Sequence, residues 1–432
     1  TRKESSAASD VYKRQAKDSA DAPIRDEYGH VIYEPVDTKS ARSAKTNAII
    51  QVGAYGDALV RLGRPAPLQV HLWLSGDSDW SGPAEKYMNV AREYRERLQF
   101  SLPSLGSIPI PLWAPPCNGC RTCRWSENCD SGRREARDIS LIQEIRSTTR
   151  IKLVAAGLGT MEAIASARDD DRPTGVSAQT FDRLRAQAAI QLEGEKAGKV
   201  VFEITNEQML NSMPPRSAGD MWFDMEGDPH APGGKGLEYM FGYGFLKDGE
   251  FGFAHIDAYD PREERVSFEA FIDHVMAEWD KHPDMHVYHY ANYERAALLR
   301  LAQRMGTREA EVDQLLRTGR LVDLYTMVRQ AFRFSTESLS IKYVEEVYGL
   351  SHKGEDVSTA MDSVIQFEKV LALRAEGKFE EAQEIFDEIV SYNRLDCEST
   401  MKLDDWIRQQ MTAPPRSNDR PISSDETDGD SE

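Results

Sequence analysis

Apolar and polar residues alternate through VIYEPVDTK (31–39), which predicts a strand, and Pro35 places it at an edge or a bulge. From Asn47 to Leu62 the period lengthens, with Ile50, Ala54, Leu59 and Val60 on or near one helical face, and Gly63 and Pro65 end that helix. LQVHLWLSG (68–76) reads as a second strand and 84–98 as a helix. SLPSLGSIPIPLWAPP (101–116) is a proline-rich connector into a cysteine segment at 117–129. Two or more helices fill 138–210, with a Gly157-Leu158-Gly159 turn between apolar runs, and Pro214-Pro215 marks a boundary.

After that boundary the pattern becomes mixed. Met221 to Met225 predicts a strand, and YMFGYGFLKDGEFGFAHIDAY (239–259) reads as a hairpin around a Lys-Asp-Gly turn. HVYHYANYERAALLRL (286–301) is a strand running into a helix. RLVDLYTMV (320–328) begins as a short apolar strand, and DEIVSYNRLDCESTMKL (387–403) is a helix. The remainder, 412–432, reads as a disordered tail or linker, and there is no internal repeat.

At 432 residues the chain suggests two or three domains. The divisions expected are 1–27, 28–104, 105–216, 217–410 and an acidic tail at 411–432. The first residue is Thr, and TRKESSAASDVYKRQ shows no hydrophobic period, so 1–27 is expected to be foreign or disordered, with the true N-terminus missing. An apolar content of 40% suits a soluble globular protein, no apolar run approaches the ~18 residues of a membrane span, and no signal peptide stands at the start. Five cysteines, four of them in one segment, do not form a disulfide framework, so the cytoplasm is the expected location.

The net charge of −19 argues against a protein that binds nucleic acid through an overall basic surface. Six acids and two arginines after Met411 supply part of it, and carboxylates gathered at a metal site would supply more. Any nucleic-acid groove must then be a local basic patch.

Candidate chemistry concentrates in the last domain. Asp224 and Glu226, two apart on a predicted strand, share one face, which is electrostatically costly unless a cation offsets it. Glu294 lies where a strand turns into a helix, and Asp323 ends a short apolar strand. Tyr392 and Asp396, four apart, share a helical face. Each pair alone is most often a solvated surface feature. Asp at a strand end often caps a turn, and Asp228 and His289 read as structural or groove residues. Cys397 reads as a small buried apolar residue.

Taken in order, FDMEGDP, YHYANYERAAL and the Tyr-x-x-x-Asp of YNRLD resemble the DEDD exonucleases. Within them the chain looks like the predicted RecB-family nucleases with a YprB-type ribonuclease H-like domain. The resemblance implies an RNase H-like α/β fold with a mixed sheet flanked by helices. It implies two-metal phosphodiester hydrolysis with two Mg²⁺ or Mn²⁺ ions about 4 Å apart. Asp224, Glu226, Glu294 and Asp396 would be the ligands, Tyr392 would orient the attacking water, and Asp323 would sit behind the ligands or on a groove wall. Oxygen-only ligands suit these ions better than zinc. Most of the superfamily carries Asp where this chain has Glu294. The implied substrate is a single-stranded DNA or RNA end, cut 3′ to 5′, with a helicase fused in some relatives and DNA repair as a setting.

The first region resembles a partial PD-(D/E)xK nuclease of the RecB-like branch. Asp37 and Lys39 match the D/E-x-K strand, and Gln51 and Tyr55 match the Gln-x-x-x-Tyr of the next helix. An earlier strand with a second metal-binding Asp is missing; Asp18 and Asp21 lie upstream without a strand pattern. Cys120, Cys123 and Cys129 match the C-x2-C-x5-C run of RecB-like nucleases with an iron–sulphur cluster, and Cys117 is positioned to serve as a fourth ligand. The spacing leaves a 4Fe-4S cluster, Zn²⁺ and free thiols open. LVAAGLGTMEAIAS resembles half of a helix–hairpin–helix, whose Gly-Leu-Gly turn would offer N–H groups to a phosphate. A glycine-rich turn between packed helices explains the same pattern. The functional readings are a metal-dependent exonuclease with its chemistry in the last domain, a non-catalytic nucleic-acid-binding scaffold built from decayed nuclease folds, and an endonuclease with its chemistry in the first region.

Overall fold

In the computed structural model the described residues are 12–39, 41–75, 79–101, 113–229, 231, 236–350 and 360–413. Most of the proline-rich connector and most of the acidic tail lie outside them. The chain divides into two compact units, Thr1–Ile110 and Pro111–Glu432.

In the first unit, β1 (Tyr12–Gln15), β2 (Tyr33–Lys39), β3 (Gln69–Leu74) and β4 (Asp79–Pro83) form one sheet in that order, with β2 parallel to β3 and the other pairs antiparallel. Between the strands, α1 (Thr46–Arg61) follows β2 and α2 (Ala84–Ser101) follows β4. Ala48, Val52, Val70, Leu72, Ala84 and Met88 form the core. The sequence pattern gives 1–27 as foreign or disordered; within that stretch residues 12–15 pair with β2. Their YKRQ composition suits an edge strand, where charge discourages further pairing and hydrophobic alternation is not required. The structure places β2 inside the sheet rather than at its edge. Its ladder with β3 starts at Val36, so the missing N–H of Pro35 forfeits no bond on that side.

The second unit opens with helices α3 (Ser126–Glu135), α4 (Ser147–Ala155), α5 (Met161–Ala165) and α6 (Ala178–Ala197), the last three packed around Leu153, Ile164, Phe181 and Leu184. A short strand β5 (Phe202–Ile204) and helix α7 (Glu207–Leu210) follow. The Gly157 and Leu158 amides donate to Val154 and Leu153 carbonyls, closing the end of α4 with Gly157 at φ +82. Two of the turn's expected phosphate donors are therefore already engaged.

Next come β6 (Met221–Asp228), β7 (Leu237–Lys247), β8 (Glu250–Asp257), α8 (Pro261–Lys281), β9 (Val287–His289), α9 (Tyr293–Met305), α10 (Glu309–Arg317) and β10 (Leu321–Asp323). After them follow α11 (Leu324–Ala331), β11 (Phe332–Phe334), α12 (Ile341–Val344), α13 (Ala360–Ala375) and the long α14 (Phe379–Gln410). The five-stranded sheet has the order β10-β9-β6-β7-β8, with β9 and β10 parallel to β6, β7 antiparallel to β6, and β8 antiparallel to β7. This is the mixed sheet flanked by helices that the resemblance implies. The β7–β8 hairpin turns at Asp248 and Gly249, both at positive φ, as a two-residue turn that follows the strand twist requires. Strand β11 pairs with β5, so the helical segment joins the C-terminal sheet region in one unit.

Alternation along β6 sorts its side chains. Met221, Phe223 and Met225 pack with Phe268, Phe271 and Val275 of α8 and Leu298 and Leu301 of α9. Trp222 points the other way, against Leu403, Trp406 and Ile407 of α14. Asp224 and Glu226 therefore share the face covered by α13 and α14. Phe271 is 1% exposed and stacks on Phe223 at 4.3 Å between centroids. Phe271→Ala should lower stability by about 3–5 kcal/mol, read as a reduced urea midpoint with unchanged m-value.

Candidate metal centre

The centre is built by one strand and one helix distant in sequence. Carboxylate oxygens of Asp224 and Glu226 on β6 and of Asp396 on α14 all lie within 4.8 Å of one another. They line a cavity of about 370 Å³ together with Gly227, Pro229, Tyr293, Glu294, Val364 and Tyr392. The β6–β7 register shifts between Glu226 and Gly227, a bulge that re-aims the strand end beside the cavity.

Two glycines make the approach of α14 and the neighbouring side chains possible. A Cβ on Gly242, opposite Asp224, would stand 1.6 Å from Asn393 Oδ1. On Gly227 it would stand 2.0 Å from Glu238 Oε2 and 2.6 Å from the Tyr293 hydroxyl. Asn393 occupies the space beside Gly242 and donates through Nδ2 to Asp224 Oδ2 at 2.7 Å. Ser363 of α13 donates to Glu226 Oε2 at 2.9 Å and is itself met by the Tyr239 hydroxyl at 2.5 Å.

These donors do not balance the charge. Burial, then the carboxylates of Asp396, Glu294 and Glu226, hold Asp224 well above the usual carboxylate range against the Asn393 donor. Burial, then Asp396, pushes Glu226 up to about 8 against the pull of Ser363, Asn393 and the Lys342 charge. A polyvalent cation would relieve this arrangement, and oxygen-only ligands suit Mg²⁺ or Mn²⁺.

Glu294, at the start of α9, lines the same cavity but does not join the mutually close trio. Its Oε2 lies 3.3 Å from His289 Nδ1, and both residues are almost fully buried. Burial alone would lower His289, yet the Glu294 carboxylate and then Asp323 hold it above its ordinary value. Asp323 caps α11: its Oδ1 accepts from the Tyr325 and Ala291 amides, at 2.9 Å each, and its Oδ2 from the Thr326 hydroxyl at 2.7 Å. Ala291 sits at φ +73 in the turn that delivers Glu294. Asp323 thus fixes that turn from behind. Tyr392, raised by burial and by the three carboxylates around it, stays a neutral phenol and accepts from Lys342 Nζ at 3.1 Å.

The sequence pattern does not single out Asn393, Ser363 or Lys342. Asn393 stands beside Tyr392 in YNRLD, and that adjacency on a candidate ligand helix is its one signal. Ser363 and Lys342 occupy unremarkable helical contexts.

In the first unit the four expected residues connect. Lys39 Nζ lies 2.8 Å from Asp37 Oδ2 and donates to Gln51 Oε1 at 3.0 Å, and Gln51 donates to the Tyr55 hydroxyl. Asp18 and Asp21 do not join them. Asp18 accepts from the Ala20 and Ala22 amides, and Asp21 pairs with Lys17 in the same turn. A separate buried pair, Glu34 with His71 at 2.8 Å, lies on the neighbouring strands.

Among the cysteines, the Sγ atoms of Cys117 and Cys120 approach to 3.9 Å, and the Cys117 amide donates to Cys120 Sγ, pulling that thiol below its ordinary value. Cys123 is exposed and Cys129 half-buried. Among the described residues only the carboxylate trio forms a group of three potential ligands, so the four thiols do not converge as a four-ligand centre requires.

The raised carboxylates fix a sign. The folded, metal-free chain holds protons that the unfolded chain releases, so stability should fall as pH rises from about 4.5 to about 8. Thermal melts should show that fall, a shallower fall in Glu226→Gln, and a Mg²⁺- or Mn²⁺-induced stabilisation larger at pH 8 than at pH 5. A pH-independent melt without a metal response contradicts it.

No helix among the described residues is long and apolar enough to cross a membrane. No curated protein matches the chain. Residues 221–408, from the start of β6 into the last turn of α14, match the family model RNase_H_2, described as the RNase H superfamily; the match supports an RNase H-like domain in this part of the chain, which suggests a nuclease.

Proposed function

We propose that residues 217–410 form a metal-dependent exonuclease of the DEDD type, acting 3′ to 5′ on single-stranded DNA or RNA ends. The observation that carries the reading is the convergence of Asp224, Glu226 and Asp396, from β6 and α14, on one cavity, with the proton affinity of Asp224 and Glu226 raised. Those three would hold the divalent ions, with Glu294 completing the set from the β9–α9 turn and His289 orienting it. Bound there, the ions would lower the pKa of an attacking water and neutralise charge on the leaving oxygen. Tyr392, a neutral phenol that accepts from Lys342 and is hydrogen-bonded to Asp396, would orient that water from beside the carboxylates. Asn393 and Ser363 fix one rotamer each of Asp224 and Glu226.

The chain Asp37–Lys39–Gln51–Tyr55 supports reading the first unit as a RecB-like nuclease remnant without its second acid. For an iron–sulphur cluster or zinc at Cys117, Cys120, Cys123 and Cys129, support is confined to the spacing and the approach of two thiols.

With Mg²⁺ or Mn²⁺, 3′-labelled single-stranded oligonucleotides should lose their label before internal cuts accumulate. Asp224→Asn should reduce the rate by more than the ~10–100-fold expected of a group behind the ligands. No turnover with either metal while the oligonucleotide stays bound would favour a non-catalytic scaffold. Loss of activity in Asp37→Ala alone would move the chemistry to the first unit. Lys342→Gln should lower kcat by about 10–100-fold with KM little changed, since it acts through Tyr392 rather than on substrate binding; a pure KM effect would contradict that role.

A further inference from the structure

The nuclease reading requires a surface that attracts a polyanion, yet the chain carries a net charge of −19. One cluster in the second unit runs against that average. Arg183 of α6 donates to the Glu144 carbonyl at 3.3 Å, and Arg329 of α11 pairs with the Glu144 carboxylate at 3.2 Å. Arg333 of β11 pairs with Glu203 on the adjoining β5. Arg146 stands exposed two residues after Glu144, at the start of α4. Arg146, Arg329 and Arg333 are near enough to repel the Arg183 guanidinium, which burial already pulls below its ordinary value. Four guanidiniums from four segments thus lie near one another, with Arg329 and Arg333 paired to the carboxylates of Glu144 and Glu203. Glu144 itself holds a left-handed φ of +56, a conformation that costs a non-glycine residue energy and is retained only where surroundings enforce it.

The cluster shares α11 with the Asp323 cap that holds the turn before Glu294. Arg329 lies four residues beyond Tyr325 on α11, so both share a helical face. The Tyr325 ring meets that of Tyr290 edge-on at 5.6 Å, one residue before the Ala291 turn held by Asp323. Arg329 is six residues from the Asp323 cap, about 9 Å along the helix. Guanidiniums favour phosphate because their fork matches its oxygens, and a half-buried Tyr offers a face for a base.

We propose that Arg146, Arg183, Arg329 and Arg333, with Tyr325, form the track that holds the phosphate backbone of a single-stranded nucleic acid leading to the Asp224–Glu226–Asp396 cavity. This rests on the nuclease reading for its direction, though not for its binding.

The test uses the full chain carrying Asp224→Asn, fluorescein-labelled single-stranded DNA and RNA of one sequence, and anisotropy across a salt series. Each arginine–phosphate pairing removed should reduce the slope of log K against log salt by about 0.7. Arg146→Gln with Arg329→Gln should reduce it by about 1.4 and weaken binding at low salt. Arg146→Gln alone, at an exposed position, should reduce it by about 0.7 if the double variant fails to fold. Arg317→Gln, 78% exposed on α10, serves as the charge-matched control and should leave the slope unchanged. An unchanged slope in the arginine variants, or an equal drop in the control, overturns the track even if the wild-type chain degrades the oligonucleotide. A reduced slope without wild-type turnover under either metal would leave the track standing and remove the nuclease. DNA and RNA arms that differ in slope assign the preferred backbone.

Discussion

Three carboxylates held together within 4.8 Å against a mainly apolar sheet face are the constraint around which the second unit is organised. Like charges at this separation repel strongly once water is withdrawn. The fold offsets part of that with directed donors: Asn393 on Asp224, and Ser363, backed by Tyr239, on Glu226. The remainder persists as raised proton affinity, the state that a divalent ion would replace. Gly242 belongs to the same arrangement, because only the absence of a Cβ lets Asn393 reach its acid.

The surrounding architecture follows from that requirement. Alternation on β6 lets one strand present an apolar side to α8 and α9 and an acidic side to α14. The long α14 spans both jobs, burying Leu403, Trp406 and Ile407 at one end and carrying Tyr392, Asn393 and Asp396 nearer its middle. Asp323 and His289 brace the turn that brings Glu294 to the cavity wall. A strongly acidic chain that gathers carboxylates in this way needs local cation-rich surface for a polyanion, and the arginines around Glu144 supply one.

Much of this is legible in the sequence because it depends on local spacing. The i, i+2 spacing of Asp224 and Glu226 and the i, i+4 spacing of Tyr392 and Asp396 fix shared faces whatever the tertiary fold. The Asp-Gly turn of the β7–β8 hairpin is equally local. The short edge strand at Tyr12–Gln15 is not legible, because edge strands carry charge in place of alternation. Lys342 and Ser363 reach the centre from helices whose sequence gives no reason to single them out. Asp323 reads as either a cap or a ligand neighbour, and in the fold it caps α11 while holding the Ala291 amide. The departure at Glu294 is visible as a residue type, but its engagement with His289 is not, since that pairing depends on the turn between β9 and α9. The dense cysteine spacing leaves a metal site and free thiols open, and among the described residues the approach of Cys117 to Cys120 is local while no group of three thiols forms.

The central claim is tested most directly by anomalous diffraction from crystals of the chain soaked in Mn²⁺. The account predicts manganese density within coordination distance of Asp224, Glu226 and Asp396. Ordered crystals with manganese bound elsewhere and none between these three carboxylates would contradict it.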